Sequence, residues 1–258
     1  AEFSMLQHGT DSPIEVDDSV MNVLQHIEGV KHVQRFAMKQ GILKTDTDFL
    51  GVAFKGVGPE FDSTFIHQHL LEGVVPKFSD KSSGNKILVS KVMADKLKLT
   101  CGSRIFAYFI DDSGVRTRRF TIAGIYQTNL TQYDNVMCYV DLYTAVKLNG
   151  WQEDMASGAE LQVSRFDKLD EVEDRVVKLV NRTTDKNGNT YSSKTIKELS
   201  PQIFSWLDLL DLNVWIILII MMAVAAVTMI SGLLIIILER TQMIGLMKAL
   251  GARNPMVR

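Results

Sequence analysis

The sequence predicts an α+β protein in which an α/β subdomain is interrupted by a β-rich insertion and followed by a long helix. Three observations lead to this fold class. Two helix-then-strand units lie far apart in the chain, and short strand-like segments with turn signals lie between them. After them, the stretch from Leu212 to Leu238 contains no charged side chain and consists mostly of Ile, Leu, Val, Met and Ala.

The first helix-then-strand unit occupies residues 1–39. Asp17, Asp18 and Ser19 offer an N-cap for a helix. Apolar residues then follow at helical spacing, namely Val20, Val23, Leu24 and Ile27. Gly29 is predicted to end this helix, and residues 30–38 are predicted to form a strand. The segment supplies the first half of the α/β subdomain.

The second half occupies residues 151–199. Residues 158–165 are predicted to form a strand, and Asp167 or Asp170 begins a helix with one apolar face. That face consists of Leu169, Val172, Val176, Leu179 and Val180. A polar loop over residues 183–190 and a short strand over residues 191–196 follow. The two halves are expected to share one small sheet.

The inserted β-rich subdomain spans residues 40–150. Its predicted strands cover residues 51–57, 87–89, 104–110, 115–126 and 136–140. Its predicted helices cover residues 91–97 and 142–148. Gly58 and Pro59 mark one turn, and residues 111–114 mark a short hairpin turn.

The rest of the chain predicts one uninterrupted helix over residues 201–238. Ser200 suits the N-cap and Pro201 the first helical position. Residues 200–212 are interpreted as a stalk and residues 213–238 as a transmembrane helix, because about 20 apolar residues cross a hydrocarbon core ~30 Å thick. A buried core helix is the alternative, although such helices are usually shorter.

The charges that flank this helix predict its orientation. Residues 239–258 contain Arg240, Lys248, Arg253 and Arg258 against one acid, Glu239. Basic residues are retained on the cytoplasmic side of a membrane, so residues 1–212 are expected outside the cytoplasm. The start of the sequence has no signal-peptide pattern, and its end is abrupt, so a longer chain is expected.

The sequence contains no pattern typical of an active site. The Walker A, Gly-x-Ser-x-Gly and His-Glu-x-x-His motifs are absent, and a net charge of −2 is not the basic footprint of a nucleic-acid-binding protein. His67 and His69 would share a face of a strand and could bind a metal, but no third ligand is evident. Cys101 and Cys138 could form a disulfide or stay unpaired. No catalytic residue, cofactor or metal is therefore predicted.

Small residues recur along one side of the apolar helix, together with one methionine. They are Met221, Ala225, Thr228 and Gly232. Small side chains let a second helix approach closely, and a threonine can form a hydrogen bond across such a contact. This face therefore predicts helix packing or a cargo cavity, although chance use of small residues would give the same pattern.

The segment after the apolar stretch carries the most specific motif, Glu-Arg-Thr-Gln-Met-Ile-Gly-Leu-Met-Lys-Ala-Leu-Gly-Ala over residues 239–252. It resembles the cytoplasmic signature of permeases in the FtsX/MacB class of ABC transporters, a Glu-Arg pair followed by Ile-Gly and Lys-Ala-x-Gly-Ala. The matching positions are Glu239, Arg240, Ile244, Gly245, Lys248, Ala249, Gly251 and Ala252. Met243 departs from the pattern, where an acidic residue is usual.

Parts of the preceding 200 or so residues also resemble the lipoprotein-releasing permeases of this class (LolC/LolE). The matching stretches are residues 56–59, 87–99, 120–126, 133–134, 136–140 and 199–204. The resemblance implies a periplasmic domain with an α/β porter-like subdomain and an inserted β-rich one, between the first two of four transmembrane helices. The chain would then lack the first, third and fourth helices and would lie in a bacterial inner membrane.

The resemblance further implies a transport subunit that is not itself an enzyme. A separate ABC ATPase would contact residues 239–258, and a second permease, like or unlike, would complete the complex. The cargo would be a lipoprotein released from membrane lipid towards the outer membrane. A periplasmic lipoprotein chaperone is a further partner, but residues 110–115 predict a tight turn rather than the long hook of the chaperone-recruiting subunit.

Three other functions fit parts of the sequence. A MacB-type permease would use the same architecture for efflux or mechanotransmission and would move a peptide, toxin or antibiotic. A single-span sensor with a ligand-binding outer domain would continue into a signalling domain instead of further apolar helices. A membrane-anchored enzyme is the third alternative, and the absence of catalytic motifs argues against it.

Overall fold

A computed structural model describes residues 2–4, 13–111, 114–181, 183–184, 188, 191–199 and 201–250 of the chain. The chain separates into two compact units, Ala1–Leu199 and Ser200–Arg258. The predicted cap Ser200, the turn residues 112–113, most of the polar loop at 183–190 and residues 251–258 lie outside the described part.

The first unit contains strands and short helices that alternate irregularly along the chain. The strands are β1 (Glu2–Ser4), β2 (Ile14–Glu15), β3 (Val30–Lys44), β4 (Phe49–Val57), β5 (Leu70–Gly73), β6 (Lys86–Ser90), β7 (Arg104–Asp111), β8 (Gly114–Tyr126), β9 (Met137–Asp141), β10 (Met155–Ala156) and β11 (Gly158–Val163). The helices are α1 (Asp18–Gln25), α2 (Thr64–Gln68), α3 (Lys91–Leu97), α4 (Thr131–Asp134), α5 (Leu142–Asn149), α6 (Leu169–Val180) and α7 (Ile196–Leu199).

Nine of the described strands form one sheet, in the order β1-β11-β3-β4-β9-β6-β8-β5, with β7 paired to both β3 and β8. Because β7 joins these two strands, β3, β4, β9, β6, β8 and β7 close into a ring. Ile42 lies opposite Tyr108 where β3 meets β7. The sequence indicated a β-rich insertion, and the pairing makes that region a closed ring.

Strand β3 belongs to both parts of the first unit. Its first half pairs with β11, its last three residues pair with β7, and β4 runs along its other edge. The predicted boundary between residues 39 and 40 therefore falls inside this strand. The two α/β halves share one sheet as predicted, because β3 pairs with β11, but the sheet is not small, because β3 continues it into the ring.

Aromatic residues fill the interior of the ring. Phe54, Phe109 and Phe120 are almost completely buried. The ring centroids of Phe54 and Phe109 lie 4.8 Å apart, and those of Phe54 and Phe120 lie 5.9 Å apart. A Cβ atom at Gly41 would lie 2.8 Å from the Phe109 ring and 2.9 Å from Phe54, so a glycine here makes room for both rings.

Helices α3 and α5 cover the ring with buried apolar residues. A Cβ atom at Gly56 on β4 would lie 2.3 Å from the Cβ of Ala145 on α5. Two small residues thus allow the helix to approach the strand closely. This close approach explains a glycine that belongs to the 56–59 stretch singled out in the sequence.

A second core lies where α1 and α6 pack against β3 and β11. It contains only aliphatic side chains and one tyrosine, and its buried members include Leu24, Val33, Leu161, Val172 and Val176. The Asp17 side chain accepts a hydrogen bond of 2.8 Å from the backbone N–H of Val20, so the predicted cap of α1 is confirmed. The residues of this core come from both ends of the unit.

Two local predictions for the first unit are wrong. Val23 and Leu179 lie in helices as predicted, but they are 55% and 52% exposed because each lies at the edge of its apolar face. Helix α6 begins after a short 3-10 turn over Phe166–Lys168, with no side-chain cap from Asp167 or Asp170. His67 lies in helix α2 and His69 directly follows it, so the two histidines do not share the face of a strand.

The predicted strand over residues 191–196 is also wrong, because Ile196 begins helix α7. The cause is a capping box that the sequence analysis overlooked. The Glu198 backbone N–H donates to Thr195 Oγ1 over 3.3 Å, and the Thr195 N–H donates to Glu198 Oε2 over 3.3 Å.

The second unit contains one helix, α8 (Pro201–Ala249), of 49 residues. The prediction of an unbroken helix over residues 201–238 is confirmed, and the helix continues to Ala249 in the motif that follows. At ~1.5 Å per residue, such a helix is about 74 Å long. Its part Phe204–Ala249 is, among the described residues, the one segment long and apolar enough to cross a membrane, and its most apolar stretch is not buried.

Candidate functional site

The residues of the Glu-Arg motif all lie on α8 where the structure describes them. Glu239, Arg240, Ile244, Gly245, Lys248 and Ala249 occupy its last three turns. Gly251 and Ala252 lie outside the described residues. The helix therefore brings six motif positions onto one rigid cylinder.

The helical geometry sorts these residues into two faces. Successive residues turn by about 100°, so Arg240, Ile244 and Lys248 at spacings of four form one ridge. Gly245 and Ala249 lie side by side on a different face. A ridge with two cations around one isoleucine can make charge-assisted contacts with an acidic surface, whereas the small pair allows close backbone approach.

The small-residue face also lies on α8. Met221, Ala225, Thr228 and Gly232 are three or four residues apart and line one side of the helix. Thr228 Oγ1 donates a hydrogen bond of 2.8 Å to the Ala225 carbonyl, so its proton is used within the helix and its lone pairs face outward. A Cβ atom at Gly232 would meet nothing within 4 Å, so packing within the described chain does not require a glycine there.

In the first unit, Tyr126 and Asp134 belong to stretches that resemble lipoprotein-releasing permeases, and both fix the local structure. Tyr126 is buried, and its hydroxyl donates to the Met137 carbonyl over 2.6 Å. Burial raises the pKa of this phenol far above its usual value. The buried Asp134 carboxylate accepts hydrogen bonds from Thr128 Oγ1 at 2.7 Å and from the Asn129 N–H at 3.0 Å. These residues hold the loop after β8 in place.

Buried charges connect the strands of the first unit. Lys55 Nζ on β4 donates to Glu160 Oε1 on β11 over 2.6 Å, and Gln34 Nε2 on β3 donates to Glu160 Oε2 over 2.8 Å. This network spans three neighbouring strands, β11 of the α/β part, β4 of the ring and β3, which belongs to both. The side chains of Lys55 and Glu160 are 13% and 10% exposed, so the cost of removing both charges from water offsets much of their attraction.

A second network fixes the loops at one end of the unit. The Arg35 guanidinium lies 2.9 Å from Glu60, 3.4 Å from Asp80 and 3.7 Å from Asp18. Burial lowers the pKa of Arg35, but the hydrogen bond and charge of Glu60 outweigh it and raise the pKa overall. The arginine therefore ties α1 to the loops that follow β4 and precede β6.

The two cysteines are free thiols. Cys138 is fully buried in the ring core, and burial raises its pKa well above the usual value. Burial also raises the pKa of Cys101. A raised pKa suppresses the reactive thiolate, so neither group is prepared for nucleophilic chemistry. Among the described residues, no group of three His, Cys, Asp or Glu side chains could hold a metal ion.

The fold creates a cleft beside α2 and α4 that the sequence did not predict. Its lining includes Phe61, Phe65, Tyr126, Tyr133 and Tyr139, together with Asp62. These side chains come from separate segments that only the folded sheet brings together. Spacing within any one segment gave no signal of the cleft.

Comparisons with solved structures identify the fold of the chain. It matches the extracellular domain of the noncanonic ABC-type transporter YknZ from Gram-positive bacteria with 16% identity and a TM-score of 0.53, over 76% of this chain and 100% of that one. It matches the periplasmic region of MacB from Actinobacillus actinomycetemcomitans with 11% identity and a TM-score of 0.50, over 78% of this chain and 91% of that one. Searches against protein-family profiles and curated protein sequences found no match.

These likenesses establish a shared fold, since the sequence identities are low. They confirm the predicted α+β class, with a long apolar helix at the C-terminal end of the described residues. Over about three quarters of its length, the chain thus has the fold of the extracellular domain of YknZ and of the periplasmic region of MacB.

Proposed function

We propose that the chain is a permease subunit of a noncanonical ABC transporter of the FtsX/MacB class. The observation that carries the proposal is the coincidence of two independent features. The first unit has the fold found in YknZ and MacB, and the second unit is one helix that ends in the Glu-Arg motif of that class. Such a subunit would not hydrolyse ATP itself and would depend on a separate ABC ATPase.

The proposed topology places residues 1–212 in the periplasm, residues 213–238 in the inner membrane and residues 239–258 in the cytoplasm. The exposed apolar surface of α8 supports a lipid environment for its central part. Basic residues after this part favour the cytoplasmic assignment. Within the first unit, residues 1–39 and 151–199 would form the porter-like part and residues 40–150 the inserted part.

The coupling step would use the end of α8. The ridge of Arg240, Ile244 and Lys248 would contact the ATPase, with Glu239, Gly245, Ala249 and Gly251 completing the contact. A helix transmits an axial or tilting displacement along its length because its backbone is stiffened by i→i−4 hydrogen bonds. Closure of the ATPase would therefore move the stalk and rearrange the outer domains.

The face with Met221, Ala225, Thr228 and Gly232 would pack against a helix of the same complex or line the path of the cargo. That helix would belong to this permease or to a second one, like or unlike, in the same complex.

Two versions of the proposal differ in the cargo that the transporter moves. The resemblance to LolC/LolE supports release of lipoproteins from the inner membrane, with a periplasmic chaperone as the acceptor. The fold likeness to MacB fits a MacB-type permease for a peptide, toxin or antibiotic equally well. Two samples of inverted proteoliposomes would distinguish these versions, one with a labelled lipoprotein and one with a labelled peptide. The label that is released when ATP is added identifies the cargo.

The coupling role is tested by Lys248→Glu in the full chain, purified with its bound ATPase from the native membrane. Reversal of one charge in the ridge should reduce cargo-stimulated ATP hydrolysis about fivefold or more, the range of typical coupling energies. Lys178→Glu makes the same charge change at an exposed position of α6 and should leave hydrolysis unchanged. Absence of any copurified ATPase, or equal hydrolysis in both variants, would contradict the proposal.

A further inference from the structure

The cleft beside α2 and α4 has the composition of a binding site rather than of a packing defect. Its volume is about 270 Å³. Its rim is formed by side chains that stay largely exposed, with Phe65 at 49%, Leu130 at 54% and Tyr133 at 40% exposure. Ile66 and Tyr126 close its base and are almost fully buried. The cleft is therefore open on one side and firmly packed on the other.

Five of the thirteen residues that line the cleft are aromatic. The ring centroid of Tyr139 lies 5.8 Å from that of Phe61 and 5.6 Å from that of Tyr126, the latter pair edge to face. Phe65 packs on His69 with centroids 4.3 Å apart, which fixes one side of the rim. Rings held at different angles around one space present several electron-rich faces to an occupant, and a cation is attracted to such faces.

The charges of the lining point to the same kind of occupant. Lys55 is matched by Glu160 at 2.6 Å, so this pair adds little net charge. Asp62 also lines the cleft, and among the described residues no lysine or arginine forms a salt bridge with it. Its pKa is lowered, chiefly by the hydrogen bond from the Thr64 hydroxyl at 2.6 Å, so it is an anion at neutral pH.

The size of the cleft limits the occupant. Pockets for small-molecule ligands usually enclose about 300–1,000 Å³, and 270 Å³ lies just below that range. A long amine or guanidine side chain fits such a space, with its methylene stem on the apolar walls and its charged end at the carboxylate. A whole peptide or a lipid chain would be too large to enter.

We propose that this cleft captures a lysine or arginine side chain from a partner polypeptide. Phe61, Tyr126 and Tyr139 surround the methylene stem, Tyr133 and Phe65 cover it from the rim, and the Asp62 carboxylate holds the cation. The site lies within the first unit, so it would work independently of the proposed coupling at the end of α8. It would give an extracytoplasmic partner or cargo a single anchoring point.

Methyl NMR on the full chain in lipid nanodiscs tests the proposal. Met137 lines the cleft, and its labelled methyl signal can be assigned by comparison with a Met137→Leu variant. The probes are blocked pentapeptides with arginine, lysine, norleucine or glutamate between glycines, and butylguanidine alone. The arginine and lysine peptides should shift the Met137 signal, and the norleucine and glutamate peptides should bind at least about tenfold more weakly.

Two variants separate the carboxylate from the rings. Asp62→Asn keeps the oxygen that accepts from the Thr64 N–H and hydroxyl, at 3.0 and 2.6 Å, but removes the charge, and should weaken the arginine peptide about five- to tenfold. Tyr133→Leu replaces an exposed ring by an apolar group and should weaken it about three- to fivefold. The control Asp46→Asn removes an exposed charge that does not line the cleft and should change nothing.

Several results would overturn the proposal. Equal binding of the norleucine and arginine peptides would indicate an ordinary apolar groove. Unchanged affinity in Asp62→Asn would remove the carboxylate from the site. Binding of butylguanidine as tight as that of the arginine peptide would mean that the cleft takes a free small cation and not a side chain of a polypeptide. No shift of Met137 with any cationic probe would exclude the site altogether.

Discussion

The two units of the chain use the same apolar residue types in opposite ways. The first unit buries Ile, Leu, Val and Phe side chains in continuous cores, and residues such as Leu43, Phe54 and Ile87 have no measurable exposure. The helix α8 exposes almost all of its apolar side chains, with Trp215 at 67%, Leu234 at 55% and Ile235 at 65%. A domain with buried apolar cores is stable in water, whereas an exposed apolar surface of this extent needs lipid or partner helices.

The comparison shows that similar apolar residue types are buried in the first unit and exposed on α8. In the ring, alternation along each strand sends every second side chain inward, as with Ile105, Ala107 and Phe109 on β7. In α8, the central apolar stretch has no polar face at all. A helix that is apolar all round has no side suited to water.

The largest expected effect is on the ring core. Phe54→Ala removes a buried ring that contacts Phe109 and Phe120, and should lower the free energy of unfolding by about 4 kcal/mol. The measurement is urea unfolding of the full chain followed by Trp151, which packs against this core, in a background with Trp206→Phe and Trp215→Phe. Ile230→Ala on α8 is the matched change outside the core and should not change the urea concentration at the midpoint of this transition. An equal loss in both variants would mean that the helix is part of the same water-excluding core, against the comparison.

A smaller effect should distinguish two positions of α8 itself. Val227→Lys puts a charge near the middle of residues 213–238, and this should cost about 3 kcal/mol of insertion free energy. Leu207→Lys makes a similar change in the predicted stalk and should cost little, because its ammonium stays in water. The fraction of chains integrated into membranes during translation measures both.

Each possible outcome of this measurement bears on where α8 enters the membrane. A loss of integration in Val227→Lys alone would support the predicted limits of the stalk and the transmembrane segment. Equal integration of both variants with the unchanged chain would contradict a lipid environment for α8. Equal losses would place Leu207 in the membrane as well and move the predicted start of the transmembrane segment.

Local signals made much of the fold predictable from the sequence. Ser90 caps α3 through its hydroxyl, and the predicted helix at residues 91–97 has the observed bounds. Alternation predicted β7 and β8 as a hairpin, and the register confirms it. The ring itself depends on pairing of Ile42 with Tyr108, residues far apart in sequence, and no local pattern specifies such a partner.

The functional residues also divide into those that a local sequence pattern indicates and those that only the fold brings together. The Glu-Arg motif is contiguous and could be found by resemblance, and its role in ATPase coupling stays a prediction. The aromatic cleft is assembled from β8, β9 and the segments around α2 and α4, so only the folded sheet reveals it. Residues such as Tyr139 and Phe61 gave no sequence signal because an isolated aromatic residue is most often part of a core.

The smallest expected effect concerns the cap at the end of the first unit. Thr195→Ala removes the hydroxyl that accepts from the Glu198 N–H and should lower the free energy of unfolding by about 1 kcal/mol. Glu198→Gln is the matched control, because glutamine can still accept from the Thr195 N–H and satisfies the same box. Trp151 fluorescence in the same background measures both variants.

A loss in Glu198→Gln as large as that in Thr195→Ala would show that the charge of Glu198, rather than the reciprocal hydrogen bonds, stabilises α7. Equal stability of Thr195→Ala and the unchanged chain would mean that α7 unfolds separately from the ring core, closer in behaviour to the helix that follows it than to the domain that precedes it.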